Sequence, residues 1–243
     1  MHRLWTPPLR RTGRDLLRAG LDLLLPPACP ACEAPSEGLC ARCRTQLAAL
    51  PTAGCVRCGA SLTPDGRCLA SHRSVRGLRQ VVAPLRFAGA GGDLVRRFKL
   101  GGDAAAGRWL AREMVFAWRG RGVAPRPVVV PVPLHRQRLR QRGFDQARWL
   151  GERVAQRLRL RVTTGALIRV RATRPQGDAT VLSRTENVRG AFALRRPGLL
   201  CGRDVLLVDD VFTTGATARA CAAVLCAGGA RSTSLLAACR SRA

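Results

Sequence analysis

The sequence has no tyrosine, a single lysine and only 15 acidic residues against 42 basic ones. All but one of the basic residues are therefore arginine, and the formal net charge of the 243-residue chain is +27. An excess of this size is typical of proteins that bind a polyanion such as nucleic acid. A genome rich in G+C codons also favours arginine and disfavours tyrosine, so only part of the charge argues for function.

Long apolar runs are also missing. No stretch approaches the roughly 20 apolar residues that a membrane-spanning helix needs. The leucines between Leu16 and Leu25 are interrupted by Arg18 and Asp22, and no small-residue cleavage site follows them. Their spacing predicts an amphipathic helix within residues 1–28 that lies against the body of the protein, with contact to a membrane surface as the alternative. We expect a cytoplasmic protein without a membrane span.

An apolar run at residues 206–208 ends in two carboxylates, Asp209 and Asp210, and a turn rich in threonine follows. This pattern predicts a buried parallel strand that delivers both carboxylates to its C-terminal edge, where α/β sheets bind ligands. The turn opens an alanine-rich helical segment, so its hydroxyl and N–H groups can hold a phosphate at a helix N-terminus. The residues of this predicted phosphate cradle are Thr213, Thr214, Gly215, Ala216 and Thr217. A ribose 5-phosphate, with or without Mg²⁺, suits both parts of the pocket.

The single lysine excludes one competing interpretation. P-loop nucleotidases also have an acidic strand, but they need a glycine-rich loop that ends in Gly-Lys-Ser or Gly-Lys-Thr. Lys99 lies between Phe98 and Leu100, so the chain has no such loop. No Ser/His/Asp or Cys/His nucleophile arrangement is evident either, and catalytic residues are not identified.

Seven of the 11 cysteines fall between residues 29 and 68, as three Cys-x-x-Cys knuckles and the lone Cys68. In a cytosolic protein this spacing indicates zinc rather than disulfides, because each knuckle places two thiolates on one side of the ion. We predict one or two Zn²⁺ sites. In the second, His72 is either the fourth ligand or a surface residue, and ligands of the two sites could interleave. The predicted ligands are Cys29, Cys32, Cys40, Cys43, Cys55, Cys58, Cys68 and His72.

The remaining four cysteines lie in apolar settings and are predicted to be core residues. They are Cys201, Cys221, Cys226 and Cys239.

From residue 80 onwards strand-like and helix-like segments alternate, which predicts an α/β fold with a mostly parallel sheet flanked by helices. Strands are expected at 81–87, 128–132, 162–170, 191–194, 206–208 and 232–238, and helices at 92–100 (or a turn), 107–118, 147–158 and 218–227.

A second candidate site follows the strand at 128–132. A tight turn between prolines leads into arginine-rich sequence, which suits a pyrophosphate, although a solvated loop is the alternative. His135 either binds a pyrophosphate oxygen or caps the turn. The predicted pyrophosphate loop comprises Pro131, Val132, Pro133, Leu134, His135 and Arg142.

The stretch from Asp209 to Thr217 resembles, at every position of Asp-Asp-x-x-Thr-Thr-Gly-x-Thr, the phosphoribosyl-pyrophosphate (PRPP) signature of type I phosphoribosyltransferases. The resemblance implies that Asp209 and Asp210 hold the ribose hydroxyls, that residues 213–217 hold the 5-phosphate, and that the loop at 131–135 holds the pyrophosphate. It also implies Mg²⁺ as the companion of PRPP.

Three features together resemble the ComF family of competence proteins. They are Leu23-Leu24-Leu25-Pro26-Pro27 before the first knuckle; Val130-Pro131-Val132-Pro133-Leu134 followed by Arg142-Gly143-Phe144-Asp145-Gln146-Ala147; and Arg174-Pro175-Gln176 ahead of Arg184-x-x-Asn187 and Ala191-Phe192. The resemblance spans nearly the whole chain. Two departures are Ser71, where the second ribbon usually has its last cysteine, and Asp145, where asparagine is more frequent. The stretch Phe98-Lys99-Leu100-Gly101 is similar to a Lys-Phe-x-Gly stretch of the family, and we group Lys99 with the pyrophosphate loop.

We expect three parts in the chain: the amphipathic helix at 1–28, a double zinc-ribbon-like module at 29–78 and a phosphoribosyltransferase-like domain at 79–243. The resemblance also implies a role in natural transformation, in which the protein binds incoming single-stranded DNA beside a helicase-like partner. Three functions stay open: a protein that binds PRPP and DNA, a phosphoribosyltransferase with an unknown acceptor, and a zinc-ribbon adaptor with a vestigial PRPP site. The sequence identifies no acceptor pocket, and it leaves the oligomeric state unknown.

Overall fold

A computed structural model describes residues 27–50, 54–68, 72, 75–121, 126–171, 188–196 and 198–241. The predicted N-terminal helix therefore lies almost wholly outside the described residues, as do Ser71 and the motifs at 174–176 and 184–187. Within the described part of the chain, no helix combines the length and the apolar character needed to cross a membrane.

The helices, in chain order, are α1 (Ala41–Thr45), α2 (Gly89–Gly101), α3 (Ala104–Arg119), α4 (Arg136–Arg142), α5 (Gln146–Leu158) and α6 (Ala216–Ala227). The strands are β1 (Val81–Val82), β2 (Leu85–Arg86), β3 (Val128–Pro131), β4 (Leu167–Arg169), β5 (Phe192–Leu194), β6 (Asp204–Phe212) and β7 (Ser232–Arg240).

The main sheet is built around β7, which pairs with β6 on one side and with both β1 and β2 on the other. Strand β6 in turn pairs with β3, and all of these pairings are parallel. Strands β4 and β5 form a separate antiparallel pair. The predicted α/β fold with a parallel sheet is confirmed. Because Pro131, the last residue of β3, lies opposite Val208, β3 ends beside the residue of β6 that precedes Asp209.

The side chains of β6 alternate between two hydrophobic layers, as the two-residue period of a strand requires. Val205 and Leu207 pack with α6 and with the β4–β5 pair, and we call this side the α6 face. Leu206 and Val208 pack with α2, α3 and α5, and we call that side the α2 face. Burial on both sides explains the continuous apolar run that marks a parallel strand in the sequence.

Helix α5 approaches the edge strand β3 unusually closely. A Cβ atom on Gly151 would lie 2.9 Å from Cγ of Pro131, which is closer than such atoms come in practice. A larger residue there would push the helix away from the strand. The close packing holds the N-terminus of α5, where Gln146 lies, beside the C-terminal edge of the sheet.

The structure corrects three local predictions. The strand expected at 162–170 is shortened to β4, and Val162 forms only an isolated bridge with Val129. The strand expected at 81–87 is two short strands, β1 and β2, because Pro84 lies between them and has no N–H to donate to a ladder. The loop expected after His135 is instead a short helix, α4, and Gly143 ends it with a φ of 75°.

The prediction of four core cysteines is half wrong. Cys221 and Cys239 are fully buried, whereas Cys201 and Cys226 are exposed. Cys226 lies on the solvent side of α6, because the buried side of that helix carries Cys221 and Leu225. Cys201 lies in the turn that precedes β6.

Candidate functional site

Strand β6 carries Asp209 and Asp210 to the C-terminal edge of the sheet. Because neighbouring residues of a strand point to opposite sides, the two carboxylates face different layers. Asp210 lies on the α2 face and Asp209 on the α6 face, and only the backbone separates them. The N–H of Asp210 donates to Oδ1 of Asp209 at 2.9 Å, and the N–H of Val211 donates to Oδ1 of Asp210 at 2.8 Å. These two bonds fix both carboxylates.

On the α2 face, Asp210 is only 5% exposed and forms an ion pair with Lys99 of α2. The Lys99 Nζ atom lies 2.8 Å from Oδ2 of Asp210, and the lysine side chain is 30% exposed. Nε2 of Gln146, at the start of α5, reaches the same oxygen at 3.5 Å. Gln146 is 95% buried, and its Oε1 has no hydrogen-bond partner among the described residues. Lys99, which we grouped with the predicted pyrophosphate loop, thus contacts the acidic pair through its ammonium.

On the α6 face, Asp209 interacts electrostatically with Arg169 of β4 and lies near Cys221 of α6. Desolvation and the adjacent charge of Asp210 raise the pKa of Asp209 well above its usual range. Desolvation also opposes ionisation of Asp210, but the ammonium of Lys99, together with hydrogen bonds from Asp209 and from the N–H of Val211, lowers the pKa of that carboxyl. The surroundings therefore favour the charged form of Asp210 and the protonated form of Asp209.

The threonine-rich turn lies directly after the acidic pair, where α6 begins. Gly215 is the N-cap of that helix with a φ of 74°, a left-handed conformation that costs glycine little. Oγ1 of Thr214 accepts a hydrogen bond from the N–H of Ala216 at 3.4 Å. Thr213 is exposed and Thr217 is half-buried. The five predicted residues thus occupy the N-terminus of a 12-residue helix, where the backbone dipoles favour an anion.

The predicted pyrophosphate loop connects β3 to α4. Pro131 and Val132 are buried, and Pro133, Leu134 and His135 are half-buried. Nδ1 of His135 accepts from the N–H of Gln137 at 3.3 Å, so this histidine caps α4, which was one of the two expected roles. Arg142 lies in the last turn of the same helix.

Asp145 has a related structural role. Its Oδ1 accepts from the N–H of Arg148 at 3.0 Å and caps α5, a task that needs only an acceptor. Aspartate can therefore replace asparagine here without losing the cap. Burial raises the pKa of this carboxyl.

The first group of cysteines, which we call the first cluster, comprises Cys29, Cys32, Cys40 and Cys43. Their four Sγ atoms lie within 4.8 Å of one another. The sulfurs of Cys32 and Cys40 are 3.7 Å apart, and tetrahedral Zn–S bonds of about 2.3 Å would place two sulfurs about 3.8 Å apart. Burial opposes ionisation of Cys29, but N–H groups that include that of Cys40 lower the pKa of this thiol to about 6. A cluster of this kind fits Zn²⁺.

The second cluster comprises Cys55, Cys58, Cys68 and His72, and their ligand atoms also lie within 4.8 Å of one another. Nε2 of His72 is 3.4 Å from Sγ of Cys55, and the sulfurs of Cys58 and Cys68 are 3.6 Å apart. His72 thus lies where a fourth ligand would be needed. The two clusters follow the order of the chain, without interleaving.

Two residues of the site were not predicted from the sequence. Gln146 belongs to the motif at 142–147, so its position was marked, but nothing indicated contact with Asp210. Arg169 lies in a strand-like segment without any signal, and only the fold brings it to Asp209.

The fold defines an α/β protein with a mostly parallel sheet, an acidic pair at the C-terminal edge of that sheet and a cysteine-rich module. A family model described as a double zinc ribbon domain matches residues 20–71.

Curated relatives extend the similarity to most of the chain. DNA utilization protein YhgH of Escherichia coli K12 is 30% identical over 230 residues, which cover 90% of this chain and 99% of that protein. Its namesake in Salmonella typhimurium is 31% identical over 229 residues, with the same coverage. Competence protein F of Haemophilus influenzae is 30% identical over 193 residues, which cover 74% of this chain and 81% of that protein. The chain therefore belongs to the ComF family.

Proposed function

We propose that this cytoplasmic protein binds PRPP together with Mg²⁺ at the C-terminal edge of β3 and β6, that it also binds single-stranded DNA, and that it serves DNA uptake or use. The observation that carries the PRPP half is the ion pair between Lys99 and the buried Asp210, next to a helix N-terminus lined with threonines. This edge combines fixed carboxylates for hydroxyls or a metal with donors for phosphates.

Each part of PRPP has a matching group at this edge. Asp209 and Asp210 would hold the ribose hydroxyls, the turn at 213–217 the 5-phosphate, and the loop at 131–135 the pyrophosphate. Mg²⁺ would neutralise part of the phosphate charge when it is bound with PRPP. The unpartnered Oε1 of Gln146 offers one further acceptor beside Asp210.

In this proposal Lys99 has a role both in the absence and in the presence of PRPP. With its ammonium 2.8 Å from Asp210, the lysine supplies the counterion of a buried carboxylate. With Mg²⁺ and PRPP bound, Asp210 would have a second cation near it, and the flexible stem of Lys99 would allow its ammonium to contact the phosphates. A compact ammonium suits such a movement better than a planar guanidinium.

The DNA half rests on charge and on the printed names of the relatives. The net charge is +27, and two relatives are named for DNA utilization and for competence. Both clusters would hold Zn²⁺ through the eight predicted ligands, and the ribbon module is the natural contact for a helicase-like partner. Turnover of PRPP is a second candidate function, favoured by the pyrophosphate loop at the same edge as the acidic pair.

Calorimetry with PRPP and Mg²⁺ tests the pocket. We expect saturable binding by the wild type and none by the Asp209→Asn, Asp210→Asn double variant. Asp204→Asn is the matched control, because Asp204 lies on the same strand at its other end, bound to Arg231 and Ser232. Equal binding by the double variant would show that the pocket is wrongly placed. A pyrophosphate-release assay on the same samples separates a binding protein from a transferase.

A further inference from the structure

A cavity of about 630 Å³ opens at the C-terminal end of β3, between the loop at 131–135, helix α4 and the segment at 164–170. Its volume lies within the range of roughly 300–1,000 Å³ that is usual for small-molecule sites. Four guanidinium groups and one carboxyl group line it, from Arg136, Arg148, Arg169, Arg195 and Asp145. We call this space the arginine cleft.

Asp145 is the one acidic residue in the lining of the arginine cleft. Outside the lining, Glu152 pairs with Arg148 at 2.9 Å and Asp209 interacts with Arg169, so the excess positive charge lies on Arg136 and Arg195. The carboxyl of Asp145 accepts from the backbone of Arg148, and burial raises its pKa, which favours the neutral form. Burial also lowers the pKa of Arg169, and the nearby charge of Arg138 lowers it further. Exposed guanidinium groups at a concave surface favour an anionic ligand.

Apolar side chains form the other walls of the arginine cleft. Val170 is 55% exposed and Leu139 is 39% exposed, although both are aliphatic. Leu134 and Ile168 contribute further apolar surface. A phosphate group alone gains nothing from such surface, whereas a nucleobase does, and bases also stack on guanidinium planes. The combination of walls therefore suits a ligand that is both planar and anionic.

We propose that the arginine cleft binds one nucleotide of single-stranded DNA, with the base against Leu134 and Val170 and the phosphate held by Arg136 and Arg195. The cleft adjoins the acidic edge, because Pro131 ends β3 opposite Val208, one residue before Asp209. A bound nucleotide would lie next to PRPP. This inference rests on the DNA half of the proposed function, and the cleft shares the loop at 131–135 with the PRPP half.

Two matched pairs of variants test the cleft. Arg195→Glu reverses a charge that lines the arginine cleft. Its control, Arg196→Glu, reverses the neighbouring exposed charge, which lies outside the lining. Val170→Asp places a carboxylate on the apolar wall, and Leu199→Asp does the same at another exposed position. All four positions are on the surface, and thermal melting of each variant verifies folding.

Fluorescence anisotropy with labelled oligo(dT) gives the readout. We expect Arg195→Glu to weaken binding at least tenfold and Val170→Asp several-fold, whereas both controls change it less than about threefold. Loss of one phosphate contact should also flatten the plot of log K against log salt concentration by about 0.7. Oligo(dT) that carries a photoreactive thymine should crosslink to residues 164–170.

The outcomes separate the two proposals. If cleft and control variants lose affinity equally, the cleft is overturned while DNA binding stands. If the wild type binds neither oligo(dT) nor free thymidine monophosphate, the cleft and the DNA half both fail, and PRPP calorimetry still tests the other half. Binding of the free nucleotide alone, lost in Arg195→Glu, would support the cleft but assign it to a free nucleotide.

Discussion

The α2 face and the α6 face of the sheet carry the same kinds of group, but the individual residues differ in their chemistry. Each has a cluster of four potential metal ligands, a helical or hairpin layer, one carboxylate of the acidic pair and one cation near it. On the α2 face the cation is Lys99, in direct contact with Asp210. On the α6 face it is Arg169, which interacts electrostatically with Asp209. The pKa of the carboxyl is lowered on the α2 face, where Lys99 contacts it, and raised on the α6 face by desolvation and the charge of Asp210.

The two clusters also join the fold differently. The second cluster is bonded through its backbone: Val81 donates to the carbonyl of Arg57, and Arg121 donates to those of Gly54 and Cys55. Arg240 of β7 donates to the carbonyl of Cys58. The first cluster packs on α2 through apolar contacts, and its ion pair joins Arg97 to Glu33, whose side chain is 71% exposed. A metal in the second cluster is thus coupled more directly to the sheet.

The largest expected effect follows from this coupling. Cys58→Ser should lower the free energy of unfolding by several kcal/mol, because structural Zn²⁺ sites contribute on the order of 10 kcal/mol to folding in small domains. Cys32→Ser, in the first cluster, should lower the free energy of unfolding clearly less. Thermal melting of both variants, followed by tryptophan fluorescence and circular dichroism, makes the comparison. Equal losses would mean that the clusters contribute alike.

Removing both carboxylates tests whether the two faces meet in one site. The Asp209→Asn, Asp210→Asn variant should lose at least 100-fold in affinity for PRPP with Mg²⁺, or about 2.7 kcal/mol. Each single variant should lose less if both faces contribute. A single variant as weak as the double one would assign the whole site to one face.

His72 distinguishes the ligand sets of the two clusters. His72→Ala should leave the first cluster loaded and remove the metal of the second, so that elemental analysis finds about half the zinc of the wild type. His72→Cys should restore it. His135→Ala is the control, because that histidine caps α4 and touches neither cluster. Full zinc content in His72→Ala would exclude the histidine as a ligand.

Lys99→Arg probes the cation of the α2 face. The substitution keeps the charge but enlarges the head group, and we expect PRPP binding to weaken several-fold, on the order of 1 kcal/mol. The melting temperature should hold, because arginine can still reach Asp210. Arg96→Lys, the opposite exchange on the same helix at the exposed pair with Asp93, should leave affinity unchanged. If Lys99→Arg bound PRPP as tightly as the wild type, the lysine would serve only as a counterion of Asp210.

The pH dependence of stability should have opposite signs on the two faces. The raised pKa of Asp209 stabilises the fold below the unfolded value of about 3.9, and this contribution is lost as the pH rises through the folded value. The lowered pKa of Asp210 stabilises above about 3.9, and that contribution is lost as the pH falls through the folded value. Relative to wild type, Asp209→Asn should therefore gain stability with rising pH and Asp210→Asn should lose it. Denaturant titrations at several pH values compare them, and parallel curves would contradict the assignment.

The sequence predicted the elements whose signal is local. The apolar run before Asp209, the glycine turn and the alanine-rich helix occur as expected. The spacing of the Cys-x-x-Cys knuckles predicted the two clusters of ligands independently of the fold. Strand β6 is longer than expected, from Asp204 to Phe212, because parallel pairing with β7 continues past the charged residues.

What escaped prediction depends on contacts between distant parts of the chain. Lys99 and Asp210 are more than 100 positions apart, and no propensity or spacing connects them. Helix α4 was missed because its arginines carry no apolar period, and its ends are set by the caps at His135 and Gly143. The alternation of side chains along β6 implied that Asp209 and Asp210 face opposite layers. This was not predicted, because both residues were assigned to a single pocket.

The position of β7 in the sheet has a consequence for how the protein is made. This strand is the last in the described chain, yet it pairs with β1, β2 and β6. The sheet therefore cannot assemble until β7 has emerged from the ribosome. Pairings between segments far apart in a chain are slow to form. The cysteine clusters are synthesised before the strands of the sheet and close over short loops, so they could bind metal before the sheet forms. During translation, the ribbon module would then be the ordered part of a nascent chain whose acidic edge is not yet assembled.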